Sequence, residues 1–126
     1  EKIAGIVAAL DPDGSYFRIE DTGLDVELIL TIEGDDGLKD FDKADSVDYL
    51  ARELGLEMSR GPHLVCGDTV SDVPMIHATT AHSRDTYAIF VTTDDELSDR
   101  VLDACQNAVI VSSPDILVTI LNSLAQ

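Results

Sequence analysis

The chain has 126 residues, the length of one domain that can bury a core. Asp and Glu outnumber Lys and Arg by 25 to 8, and the formal net charge of -17 excludes the basic surface that nucleic acid or an anionic membrane would need. We interpret this charge as a solvated acidic surface, which would also suit a high-salt cytoplasm and would attract metal cations. No apolar run approaches the roughly 18 residues of a transmembrane helix, and no signal peptide is recognisable.

The two cysteines and the first residue bear on the origin of the chain. Cys66 and Cys105 form no CxxC pair, which favours a reduced protein in the cytoplasm. The sequence starts at Glu1 rather than at Met, which indicates a fragment, a processed chain or an excised domain.

Residues 1–42 read as a cap-like antiparallel segment. The apolar run 3–10 predicts either a buried strand or one turn of a core helix. Residues 11–14 (Asp-Pro-Asp-Gly) predict a turn, and two strands at 16–20 and 26–32 predict an antiparallel hairpin. Residues 33–41 predict a polar loop.

Residues 43–126 alternate between helices and strands. This order predicts an α/β fold, a parallel sheet with helices on its faces. The predicted elements are a helix at 44–54, a strand at 63–66, a short helix at about 71–78, an irregular stretch at 77–86, a strand at 87–92, a helix at 96–105, a strand at 108–111 and a final helix from 114.

Two carboxylates follow the first predicted strand of this sheet. Asp68 comes directly after Gly67, and Asp72 lies four residues further on. Ligands of open α/β sheets bind at the carboxyl ends of the strands, and carboxylate oxygens suit Mg²⁺. The alternative is a loop in which Asp and Ser side chains only cap the next helix.

Taken together, these motifs resemble a known superfamily. Lys43, a helix, a strand and then Gly67-Asp68-x-x-x-Asp72 resemble the last two motifs of the haloacid-dehalogenase (HAD) phosphatases, over residues 26–124. The layout is most similar to the trehalose-phosphatase branch. Ala44 and Thr69 depart from that branch, since they stand where it has Gly and a second Asp.

The resemblance implies a HAD-like, Rossmann-type sheet and a specific reaction. An aspartate attacks the phosphoryl group of a phosphorylated sugar, and the aspartyl-phosphate is then hydrolysed with the help of Mg²⁺. Asp68 would hold Mg²⁺, and Asp72 would complete or orient the metal shell. Lys43 would pair with the nucleophile and the phosphoryl oxygens. Without that role, Lys43 would be a solvated lysine at the start of a helix.

The nucleophile of such a phosphatase would lie at the end of an earlier parallel strand, for which residues 1–42 leave no room. Asp11-Pro12-Asp13-Gly14 resembles the nucleophile motif, with Asp11 as nucleophile and Asp13 as acid/base. Pro-Asp-Gly is also a strong β-turn signal, and we favour the turn. The chain then reads as the C-terminal part of a larger HAD phosphatase.

Three functions follow as hypotheses. The first is a Mg²⁺-dependent phosphatase acting on a sugar phosphate, trehalose 6-phosphate by resemblance, completed by the remainder of a larger polypeptide. The second is an inactive, phosphatase-like regulatory module, such as one fused to a trehalose-phosphate synthase. The third is a receiver-like or nucleotide-binding α/β domain, which predicts no lysine at the acidic cluster.

Overall fold

The computed structural model describes residues 2–126 as mixed α/β, in two compact units. One unit ends at Phe41, and the other runs Asp42–Gln126. The elements in chain order are α1 (Lys2–Leu10), β1 (Phe17–Asp21), β2 (Val26–Gly34), β3 (Gly37–Asp40), α2 (Lys43–Leu54), β4 (His63–Gly67), a 3₁₀ turn (Val70–Asp72), α3 (Val73–His82), β5 (Thr86–Val91), α4 (Asp95–Ala104), β6 (Ala108–Val111) and α5 (Pro114–Leu124).

The first apolar run forms α1, and the expectation of buried residues there was wrong. None of the residues of α1 is buried, and Ile6 and Leu10 are 61% and 74% exposed. A continuous apolar run carries no periodicity that separates strand from helix. The composition of the run also does not show whether another element of the same chain packs against it.

The first unit contains a three-stranded antiparallel sheet in the order β1-β2-β3. The predicted hairpin is confirmed, with Phe17 opposite Leu30. The predicted polar loop at 33–41 was wrong, because β2 extends to Gly34 and a two-residue turn leads into β3. The sequence did not indicate this strand, because all residues of β3 are exposed. Arg18 reaches across β2 to Asp40, with guanidinium to carboxylate distances of 3.0 and 2.6 Å.

The second unit contains a parallel sheet in the order β4-β5-β6, which confirms the alternation read from the sequence. Its core lies between this sheet and the helices α3 and α4. Phe90, Ile76 and Val101 are fully buried there. The remaining buried members of the cluster are Val65, Val73, Ala88, Leu97 and Cys105.

The helix after β4 is longer than predicted. α3 continues to His82, through part of the stretch predicted to be irregular. Val73, Ile76 and Thr79 recur at helical spacing and are all buried. The Thr79 hydroxyl donates a hydrogen bond to the carbonyl oxygen of Met75 at 2.8 Å. This bond satisfies the hydroxyl, so a polar residue can lie on the buried face.

Within residues 2–126, no helix is both long and apolar enough to cross a membrane. Cys66 and Cys105 are free thiols, the first in β4 and the second at the end of α4.

Candidate functional site

The candidate site forms at the carboxyl end of β4, where the chain turns from strand to helix. Gly67 ends the strand, Asp68 and Thr69 form the turn, and Asp72 lies at the junction of the 3₁₀ turn and α3. Asp72 is only 4% exposed, whereas Asp68 is exposed to solvent. The two predicted metal residues therefore lie in one short loop but in different surroundings.

Both carboxylate oxygens of Asp72 accept hydrogen bonds. One oxygen accepts from the ammonium of Lys43, 29 residues earlier in the chain. The other accepts from the backbone N–H groups of Asp68 and Thr69 and from the Thr69 hydroxyl, each at 3.0 Å. Asp72 thus fixes the turn that presents Asp68 and also holds the lysine.

These contacts change the acidity of Asp72. Its burial alone would raise the pKa, but the hydrogen bond from Lys43 and those from residues 68 and 69 outweigh burial and lower the pKa to about 2. Asp72 is consequently a carboxylate at neutral pH, and its charge is balanced by Lys43.

Lys43 is the first residue of α2, and the start of this helix is fixed by a capping box. The Asp42 side chain accepts the backbone N–H groups of Ala44 and Asp45 at 2.7 and 3.0 Å, and the Asp45 carboxylate accepts the N–H of Asp42 at 2.9 Å. The Lys43 side chain is 49% exposed. An ammonium has three N–H donors, so contact with Asp72 leaves donors for an incoming anion.

Gly67 allows Asp72 to approach the strand. A Cβ built on Gly67 would lie 2.5 Å from the Cβ of Asp72 and 2.7 Å from the Cζ of Phe90. No side chain fits in that space without displacement, because Phe90 is fully buried in the core. The glycine is thus required by packing at the site.

Asp68 is the carboxylate at this site that is available to a ligand. Its side chain accepts no hydrogen bond from any residue in the range 2–126, whereas its backbone N–H is bonded to Asp72. A carboxylate of this kind is chemically suited to Mg²⁺, which proteins commonly bind through one or two carboxylates, with water and substrate phosphate completing the shell. Among residues 2–126, no group of three or more His, Cys, Asp or Glu side chains is arranged to hold a metal. Residues 2–126 therefore supply only part of the ligands that a Mg²⁺ ion needs.

The other two candidates, Asp11 and Asp13, lie in the N-terminal unit. Asp11 is 5% exposed, and its carboxylate accepts the backbone N–H groups of Ser15, Tyr16 and Phe17 at 2.8 to 2.9 Å. Burial opposes ionisation, but these three hydrogen bonds hold the pKa of Asp11 below its ordinary value. Asp11 thus organises the predicted turn, in which Asp13 is exposed.

Thr69 is a site residue that the sequence reading treated only as a departure from a motif. Its hydroxyl and its N–H both donate to Asp72. The signal that points to it is Thr69-x-x-Asp72 ahead of an apolar segment, the spacing of a capping box. A threonine can therefore support the loop where the branch motif has an aspartate.

Comparison with known proteins assigns the chain to a family. Residues 1–117 match the family described as trehalose-6-phosphate phosphatase, C-terminal. The chain belongs to this trehalose-6-phosphate phosphatase C-terminal family. It is also similar to larger proteins: UDP-forming alpha,alpha-trehalose-phosphate synthase 1 of Aphelenchoides avenae (32% identical) and UDP-forming alpha,alpha-trehalose-phosphate synthase 2 of Caenorhabditis elegans (31% identical).

These relatives show how the family domain occurs in longer chains. Each alignment covers 94% of this chain but 10% of the relative. The chain therefore spans about a tenth of the length of the curated relatives that it matches. The recognition of a C-terminal trehalose-phosphatase segment from the sequence is confirmed.

Proposed function

We propose that the chain is the C-terminal part of a HAD-type, Mg²⁺-dependent phosphatase domain that hydrolyses a sugar phosphate, trehalose 6-phosphate being the substrate that the family suggests. The observation that carries the proposal is the contact between Lys43 and Asp72 at the loop that presents Asp68. The family match over residues 1–117 gives no support to the receiver-like or nucleotide-binding alternative.

In this proposal each residue of the loop has one task. Lys43, held by Asp72, directs its remaining N–H donors at the phosphoryl oxygens and offsets their negative charge. Asp68 would hold Mg²⁺, which when bound neutralises charge on the phosphoryl group. Asp72 holds Lys43 and the loop of Asp68 in place, because its two oxygens already accept four hydrogen bonds from them. Asp72 is a positioning residue in this account rather than a direct ligand.

The nucleophile in this proposal comes from a part of the polypeptide outside these 126 residues. Asp11 is a poor nucleophile because its oxygens are engaged by three backbone N–H groups of its own turn. We therefore expect the 126-residue chain alone to release no phosphate from trehalose 6-phosphate with Mg²⁺, whereas the complete gene product does so. Phosphate release is measured for both, with Asp11→Asn beside the wild-type chain. Turnover by the chain alone that Asp11→Asn abolishes would contradict the proposal.

A regulatory module without catalysis is the second candidate. It is favoured by the names of the relatives, which state a synthase activity. The same assay separates the two candidates. A complete gene product that folds, contains this domain and releases no phosphate from trehalose 6-phosphate supports the regulatory module.

A further inference from the structure

Two hydroxyl groups extend the hydrogen-bond network of Asp72 to the surface of the loop. The Thr69 hydroxyl lies 3.0 Å from a carboxylate oxygen of Asp72, and the Ser71 hydroxyl lies 2.8 Å from that of Thr69. Asp72 is buried, whereas Thr69 and Ser71 are exposed. We call the side chains of Thr69 and Ser71 the hydroxyl relay. The other two donors to the same oxygen are backbone N–H groups, which residues of almost any type supply.

The direction of the hydroxyl relay follows from the number of hydrogens available. Asp72 is ionised at neutral pH, and a carboxylate only accepts hydrogen bonds. The hydrogen of the Thr69 hydroxyl is therefore directed at Asp72, which leaves the Thr69 oxygen as an acceptor. Because a hydroxyl has one hydrogen, Ser71 must be the donor in its contact with Thr69. Donation by Ser71 polarises the Thr69 hydroxyl and strengthens its bond to the carboxylate.

The hydroxyl relay acts on one oxygen of Asp72, and Lys43 contacts the other. Three donors fix the first oxygen and with it the orientation of the carboxylate. The second oxygen accepts from the Lys43 ammonium. An ammonium on a flexible stem takes its position from its partner, since the lysine side chain has no rigid geometry of its own. A carboxylate that loses one of its three anchors should therefore hold Lys43 less firmly.

The residue at position 69 is also where this loop departs from the branch motif, which has an aspartate there. An ionised aspartate has no hydrogen to donate and could not make the contact that Thr69 makes with Asp72. The hydroxyl relay is thus a feature of this chain that the branch motif does not contain.

We infer that the Thr69 hydroxyl is a positioning group of the candidate site: it fixes the Asp72 carboxylate in the orientation that directs the Lys43 ammonium at the phosphoryl group, and Ser71 holds the Thr69 hydroxyl in turn. This inference rests on the proposed function for the task of Lys43. The contacts within the loop can be tested without turnover.

The first test compares two threonine-to-valine substitutions in the 126-residue chain, each of which removes one hydroxyl donor. Valine suits position 69, because the backbone there is extended (φ -133°, ψ 163°). Thr79→Val is the control, since the Thr79 hydroxyl donates to Met75 within α3. We expect the exchange protection of the Asp68 amide N–H to fall about tenfold in Thr69→Val, as for loss of a hydrogen bond to a charged group, and to be unchanged in Thr79→Val.

The Lys43 ammonium gives a readout that a general loss of stability does not reproduce. Its N–H groups exchange more slowly with water while they are bound to Asp72, and nuclear magnetic resonance measures that rate. We expect exchange to be about threefold faster or more in Thr69→Val, and to return to the wild-type rate in Thr69→Ser, which restores the hydroxyl. A wild-type rate in Thr69→Val, or a Thr69→Ser variant that behaves like Thr69→Val, would overturn the inference.

A double-mutant cycle tests the place of Ser71. Ser71→Ala is expected to lower the protection of the Asp68 N–H by about twofold, because Ser71 acts only through the Thr69 hydroxyl. In the Thr69→Val background, where that hydroxyl is absent, Ser71→Ala should have no further effect. Equal losses in the two backgrounds would mean that Ser71 acts by another route, which would overturn the hydroxyl relay.

Activity of the complete gene product separates this inference from the proposed function. We expect Thr69→Val to lower kcat/KM for trehalose 6-phosphate by about tenfold, with Thr69→Ser and Thr79→Val close to wild type. Full activity of Thr69→Val in an active gene product would overturn the inference and leave the proposed function intact. A wild-type gene product without activity would contradict the proposed function, and the exchange measurements would still decide whether Thr69 positions Lys43.

Discussion

Replacing Gly67 with alanine is expected to lower the free energy of unfolding by about 3 kcal/mol, the upper range for overpacking a closed site. The new methyl group would lie 2.5 Å from the Cβ of Asp72 and 2.7 Å from the ring of Phe90. Neither atom is the free end of a mobile side chain, because both residues are buried. The loop must move away from β4 to relieve this steric clash, so the contact between Asp72 and Lys43 should weaken as well.

Denaturant unfolding measures this effect, and Gly5→Ala is its control. Gly5 lies within α1, and nothing is within 4 Å of a Cβ built there. Alanine at a helical position stabilises relative to glycine by about 0.5–1 kcal/mol. The two substitutions should therefore change stability in opposite directions. A Gly67→Ala variant as stable as the wild type would show that the site tolerates a separation of strand and loop.

Asp72→Asn is expected to lower the free energy of unfolding by about 2 kcal/mol at neutral pH. Asparagine offers one acceptor oxygen where the carboxylate uses two, so either Lys43 or the group of donors at residues 68 and 69 faces an amide NH₂. Breaking one side of a buried ion pair or hydrogen-bond network typically costs this much or more, and the half-exposed Lys43 reduces the penalty.

The effect of Asp72→Asn also has a pH signature. The pKa of Asp72 is lowered from an ordinary value of 3.8 to about 2, so its ionised form stabilises the folded state. That contribution is complete above about pH 4 and is lost as the pH falls through the folded pKa of about 2. The stability gap between wild type and variant should therefore narrow from pH 4 to pH 2. The exposed Asp103, changed to Asn, is the control and should show no such gap. A gap that persists unchanged at pH 2 would contradict the assignment.

The parts of the fold that the sequence predicted are those in which local pattern and tertiary burial agree. In α2 the helical spacing of the apolar residues and the Gly55 that follows both indicate the helix predicted at 44–54, and the structure adds the Asp42 cap at its start. The alternation after Lys43 likewise constrains the sheet to be parallel, because parallel strands need crossover connections.

The parts that were wrong depend on partners that a sequence pattern does not specify. β3 is exposed throughout, so no alternation of apolar and polar residues marks it. The C-terminal part of α3 buries Thr79, whose hydroxyl is satisfied by a hydrogen bond to a carbonyl oxygen of its own helix. At the site, spacing placed Asp68 and Asp72 in one loop. It did not show that Asp72 turns inward to Lys43 while Asp68 stays exposed, since that depends on packing between α2 and α3.

The most direct measurement is Mg²⁺-dependent phosphate release from trehalose 6-phosphate by the complete gene product, comparing wild type with Asp68→Asn. Asp68 is exposed, so the variant should fold, and Asp103→Asn serves as the matched control. We predict that Asp68→Asn loses activity by about 100-fold or more, because the proposed Mg²⁺ ligand loses its negative charge and the ion that would neutralise the phosphoryl group is held less tightly. The control should keep full activity. An active gene product in which Asp68→Asn releases phosphate as fast as the wild type would contradict the account.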